Sequence, residues 1–455
     1  MSTNGAWCRS KFSWLLPMVF AAGLAVAVAA GAGMAADQTV SRLLAANDVS
    51  ILFPPPKTAV DMANLIALSD LAGPTGSPQR LWSDDDFARF LALTESPEFP
   101  GVPDSGVSRI HLPDGVKNIG AWFVSGIRID PGAPGLSQEI IAQFGRRPQI
   151  RLIVQPVTNG PNGVKVHDIA GHLLFDFTLD PDPALDGCEP FKRAKPDDEA
   201  FRDVIRDVVA LRDQLAAGKF GGVKVVTAGD MNVHPGLVGP SARSFRDALK
   251  AMLEKHLERK RFNAMAVAAV EVAEPWVFVS MLRPEAAFIP VPGPTLDGMH
   301  TAEMFSVIGG KHVVPQPATN NQNPITCRNA TLQKPPLPVA DRKGVSTSEF
   351  IDGNVADSRV LEIVNIIADT KQSQFFNTDC VSCHTETAQP LARNVKNFAV
   401  PGVSKAVLPK ETWNVRNFGW FPSFQKGGVA PTITRRAAAE TADVVSFINS
   451  QLLDR

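Results

Sequence analysis

Near its C-terminus the chain reads Cys380-Val381-Ser382-Cys383-His384. Two thiols three positions apart, followed at once by an imidazole, form C-x-x-C-H, the spacing of covalent c-type haem attachment. The chemistry uses every one of these groups. The thiols add to the two haem vinyl groups as thioethers, and the adjacent imidazole then sits below the ring and binds iron. A bare C-x-x-C would also suit a redox dithiol or half of a zinc site. A redox dithiol belongs in a βαβ setting, which the flanking sequence lacks, and no second C-x-x-C completes a zinc site. One covalent haem c is therefore the expected cofactor, and His384 the expected metal ligand.

Helical patterns flank the motif. Val360, Leu361, Ile363, Val364 and Ile367 predict a helix over 355–370, and Val444, Phe447, Ile448 and Leu452 predict one over 436–453. With Phe375 and Phe376 just before the motif, residues 346–455 resemble the class I cytochrome c family. In that family a helix leads into C-x-x-C-H and a C-terminal helix crosses it. The resemblance covers a quarter of the chain and carries over Cys380, Cys383 and His384. It implies a small, mainly α-helical haem domain that transfers electrons.

The sequence departs from that family after the motif. Class I cytochromes c supply a downstream Met as second axial ligand, yet no Met and no His follows His384. Lys396, Lys405, Lys410 and Lys426 are the downstream donors. The iron could instead be five-coordinate or hold water. Met299, His300, Met304 or His312 could reach it from upstream, as could a thiolate from Cys188 or Cys327. An open position would admit small ligands and point to a haem-dependent oxidoreductase; a filled one favours an electron carrier.

Trp413, Arg416, Phe418, Trp420 and Phe421 fall within nine residues. A haem needs apolar walls and cationic or indole donors for its propionates. Trp413, Trp420 and Arg416 are accordingly candidate haem contacts, with Arg416 as propionate partner. From Arg393 to Arg436 there are eight basic residues against one acid, Glu411. That excess would steer an acidic redox partner. His167-Asp168 with His172 has metal-ligand types, but the spacing fits one strand and its neighbour poorly. Asp230-Met231-Asn232-Val233-His234 reads first as a turn before Pro235-Gly236.

The N-terminus has the order of an export signal. Arg9 and Lys11 precede an uncharged apolar run from Trp14 to Ala36, which ends in small residues before Asp37. Residues 1–36 are expected to be a signal peptide, placing the protein in the periplasm or otherwise outside the cytoplasm. An uncleaved anchor is the alternative, since the run is long enough to span. In an oxidising compartment Cys188 and Cys327, left over after haem takes two, make an expected disulfide.

The rest of the chain predicts an α+β N-terminal domain over 37–285. Short helices and Pro-rich loops fill 37–115, with a helix start at Ser83-Asp84-Asp85-Asp86. Residues 116–180 are strand-rich, with one short helix over 138–144. Amphipathic helices are expected over 197–217 and 242–260, and one or two buried strands over 264–284. Residues 286–345, rich in Pro, Gly and Asn, read as a long loop or linker before the haem domain.

Composition narrows the chemistry further. The 455 residues include five Cys and no Tyr, where roughly a dozen Tyr would be ordinary. No Tyr can ligate haem or act as nucleophile, acid or radical site. A net charge of −1 offers nothing to nucleic acid. The expected partner is a redox protein or terminal acceptor. No G-x-S-x-G, H-E-x-x-H or Gly-rich phosphate loop is present.

Overall fold

A computed structural model describes residues 43–73, 80–95, 111–132, 141, 145–179, 195–269, 276–283, 288–290, 293–295, 298–300, 302–305, 312–313, 355–373, 378–412, 414–423 and 428–453. The expected signal peptide, all but Ile141 of the short helix expected over 138–144, the boundary near 345, Cys188, Cys327, Trp413, Lys426, Phe375 and Phe376 lie outside these residues. Among the described residues no helix is long and apolar enough to cross a membrane.

The N-terminal elements are helix α1 (Ala46–Val49), strand β1 (Ser50–Leu52), α2 (Ala59–Met62) and α3 (Asp84–Glu95). Ser83 caps α3 by accepting the Asp86 N–H, and three Asp residues occupy its first turn. Strands β2 (Trp122–Asp130), β3 (Gln149–Gly160), β4 (Gly163–Val166) and β5 (Ile169–Asp176) follow. Helix α4 (Asp198–Ala216) is capped by Asp197 and followed by Gly218 at φ +73. Helix α5 (Ala242–His256) is shorter than the expected 242–260, because Leu257 and Glu258 turn extended before Arg259–Arg261 form a separate 3-10 turn.

Strands β6 (Phe262–Ala269) and β7 (Trp276–Leu282) form an antiparallel pair. The stretch read as a long loop is partly regular. It contributes β8 (Ile289–Pro290), β9 (Gly293–Thr295), β10 (Gly298–His300), β11 (Ala302–Phe305) and β12 (His312–Val313). These segments are too short to show a periodicity, and β11 is held by its pairing with β7. The C-terminal elements are α6 (Asp357–Ala368), α7 (Cys380–Thr385), α8 (Ala388–Ala392), β13 (Phe418–Pro422), β14 (Val429–Ile433) and α9 (Arg435–Phe447), the last continuing as a π turn over Ile448–Leu452.

The strands pair in the order β1-β2-β3-β5-β6-β7-β11-β12, with β4 beside β3 and β8 beside β7, and all neighbours antiparallel. Both faces are buried. Leu152, Val154, Leu173, Phe175, Val277 and Val279 face a core built with α3, α4 and α5. On the opposite face, Leu52, Ile153 and Ala170 pack against Phe418, Ile433 and Ala437 of the C-terminal region. Farther along, Trp276 and Phe278 pack against Val381, Val415 and Phe421. Contact is close enough that a Cβ at Gly126 would lie 2.7 Å from the Phe418 ring. Residues 41–455 form one compact unit, with C-terminal segments laid on the sheet.

Ionic groups cross between these layers. Glu440 of α9 accepts from Arg128 of β2 and, at 2.8 Å, from Arg436. Arg436 also donates to the carbonyls of Ile367 and Ser373, and its backbone N–H donates to Glu386. Burial opposes the Glu440 charge, but Arg128 and Arg436 outweigh it and hold the carboxyl below its ordinary range. Its stabilising contribution is thus present above the ordinary carboxylate range and lost as pH falls through the lowered value. Replacing Glu440 by Gln strands two buried arginines. We expect a loss of about 3–5 kcal/mol, measured by denaturant unfolding at neutral pH, and a smaller deficit at acid pH.

Candidate functional site

The C-x-x-C-H residues form helix α7. Asp379 caps it by accepting the Ser382 N–H at 2.8 Å, which fixes its first turn. One turn of helix brings Cys380 and Cys383 to the same side. They are not bonded to each other. Val381 and Cys380 pack with Trp276, Phe278, Val415 and Phe421, so the motif sits on the sheet face at β7.

Three consecutive residues strap the motif down. The Val415 carbonyl accepts from His384 Nδ1 at 2.6 Å. A carbonyl oxygen only accepts, so Nδ1 carries the proton and Nε2 keeps its lone pair. This is the arrangement that prepares a histidine to bind metal. Arg416 donates to Asp168 at 3.0 Å and lies 4.9 Å over the Trp276 ring. Asn417 donates to Cys383 Sγ at 3.8 Å. Asn414 holds the strap by accepting the Arg416 N–H and donating to Thr432. The Phe278 ring meets the His384 ring edge-on at 5.0 Å.

Burial governs the electrostatics here. It lowers His384 to about 4, so the ring is neutral near pH 7. It pushes the Cys383 thiol up to about 12. It raises Asp168 to about 6 against the pull of Arg416, and lowers Arg416. Glu386, two residues past His384, is raised to about 7 by burial, although Thr387 and the Arg436 N–H both donate to it.

The expected haem contacts divide. Arg416 lies at the motif; it is already ion-paired with Asp168, and its Nε has no partner among the described residues. Trp420 does not line the motif. Its indole N–H is donated to the Phe53 carbonyl at 2.8 Å, and its ring belongs to the main core. The next residue, Phe421, packs beside Cys380 and Val381 instead. Strand alternation separates the two, which the cluster of aromatics in sequence does not reveal. Arg416 and Arg436 are buried, so the basic excess available for steering reduces, among the described residues, to side chains such as the exposed Lys396, Lys405 and Lys410.

The candidate distal ligands also sort. Lys396, Lys405 and Lys410 are exposed. Strands β9 and β11 lie beside α7. Met304 is registered with Val277, a residue of the opposite core, whereas Glu303 is registered with Phe278. Met299 and His300 lie on β10, paired with β9, and His312 on β12.

His167, Asp168 and His172 do not form a metal cluster. His167 Nε2 meets Thr158 Oγ1 at 2.8 Å, and Asp168 serves Arg416. Among the described residues no group of three or more His, Cys, Asp or Glu could hold a metal ion. His234 accepts the Gly236 N–H and stacks on Phe245, and burial lowers it to about 3. It is a core residue beside a turn, as its sequence context suggested.

The raised thiol has a measurable consequence. In folded, haem-free protein, alkylation of Cys383 at neutral pH is expected to run about a thousandfold slower than that of a free cysteine, from the smaller thiolate fraction alone. Mass spectrometry of iodoacetamide-treated protein, with and without denaturant, checks this. Equal rates in both states would contradict it.

No protein-family model matches the chain, and the searches of curated proteins and solved structures found no significant match.

Proposed function

We propose that the protein is an exported monohaem c-type cytochrome that carries electrons to a partner protein or terminal acceptor. Cys380 and Cys383 would hold the haem through thioethers, and His384 would bind its iron. The observation that carries this reading is the His384 Nδ1–H bond to the Val415 carbonyl, which leaves Nε2 free to coordinate. Bound haem supplies a one-electron Fe(III)/Fe(II) cycle.

The competing uses of C-x-x-C fit less well. A redox dithiol belongs in a βαβ setting, whereas Cys380 and Cys383 lie on a helix packed against an antiparallel sheet. A zinc site needs further thiolate or imidazole ligands, and none gather among the described residues.

The chain's own residues have definable tasks. Cys380 and Cys383 would supply the two thiols for thioether attachment, each sulfur bonding one vinyl carbon and its proton passing to the other. Val415 orients the imidazole. Trp276, Phe278 and Phe421 exclude water, and Arg416 offers its unpartnered Nε–H to a propionate. Exposed Lys396, Lys405 and Lys410 give an acidic partner a basic approach.

A second reading, a haem-dependent oxidoreductase, is favoured by the absence of Met or His after His384. Prompt spectral change with cyanide would support it.

Expression in a host with cytochrome c maturation tests the proposal. Haem should stay with the polypeptide through denaturing electrophoresis, and the pyridine haemochrome should report two thioether links. Replacing Cys380 and Cys383 by Ala should abolish the stained band. Wild-type protein without covalent haem would sink the reading.

A further inference from the structure

We propose that His172 binds the haem iron on the side opposite His384. The inference rests on the haem reading above and adds to it the second axial ligand. His172 lies in β5, in register with Ile153 of β3 and Met265 of β6. Ile153 belongs to the sheet face covered by the C-terminal region, and Ala170, two residues before His172, shares that face. The same face carries Phe278, two strands away, against which His384 packs.

The strap brings the two histidines into one neighbourhood. Val415 orients His384, and the next residue, Arg416, is ion-paired to Asp168, four residues before His172. His384 and Arg416 both lie near enough to His172 to disfavour its charged form.

An independent observation points to a missing partner. His172 Nδ1 is shielded from solvent and has no hydrogen-bond partner among the described residues. Arg151 Nε, from the strand beside it, and Arg416 Nε share that condition. Buried polar atoms are nearly always paired. An orphaned imidazole with orphaned guanidinium donors around it suits a metal that accepts a lone pair and carboxylates that accept N–H groups.

Three of the other histidines are committed elsewhere: His167 to Thr158, His234 to a turn in the opposite core, and His256 to Asp207. Supply of the second ligand by the upstream sheet accounts for a motif with no Met or His downstream of it.

The test uses the full-length haem-loaded protein and reads ferric EPR, optical and magnetic circular dichroism spectra. Wild type should be low-spin with two nitrogen axial ligands. His172→Ala should turn the iron high-spin, and added imidazole should restore the low-spin signal. His172→Met, which keeps a ligand at the position, should show the methionine–iron charge-transfer band. A wild-type methionine signature, which Met265 or Met299 would produce, would overturn the assignment. So would a high-spin wild type, or a His172→Ala spectrum unchanged from wild type. Covalent haem with any of these results leaves the cytochrome reading standing; absence of covalent haem overturns both.

Discussion

The structure depends on a sheet that must be covered twice. Antiparallel sheets commonly leave one face to water. Here β2 is buried along its whole length, and Leu52, Ile153, Ala170, Trp276 and Phe278 make the second face apolar. Helices from the first part of the chain cover one face. The last hundred residues cover the other, which draws the C-x-x-C-H helix onto β7. Site and fold therefore share one cause, the hydrophobic burial of the second face.

Polar groups on that face need their own solution. Arg128, Arg151, Asp168 and His172 sit among apolar neighbours, where an unpaired charge is costly. Glu440 of α9 accepts from Arg128, and Arg436 donates its guanidinium N–H groups to Glu440 and to the Ile367 and Ser373 carbonyls and its backbone N–H to the Glu386 carboxylate. This network joins the sheet to the motif through charge-assisted bonds. The strap then orders the site locally, with Val415, Arg416 and Asn417 each committed to a different partner.

Much of the secondary structure was legible in the sequence because its signals are local. Ser83 with three Asp residues marks α3, the apolar stripe from Phe201 to Leu215 marks α4, and Val360 to Ile367 marks α6. The short strands between 289 and 313 were not legible. Two to four residues carry no period, and their conformation is set by pairing with strands elsewhere. Trp420 shows the same limit: it is one residue from Phe421, yet alternation sends one to the main core and the other to the motif.

The sequence alone determined the candidate chemistry, since two thiols and an imidazole at this spacing need only one helical turn to act together. It also determined that no Met or His follows the motif. Tertiary structure decided which groups surround that turn. Val415 lies thirty-one residues from His384, and Asp168 is 248 residues from Arg416. Such meetings arise from strand register and burial, which no local pattern encodes. His172 looked like part of an ill-spaced trio in sequence; only the pairing of β3, β5, β6 and β7 places it on the face that carries the motif.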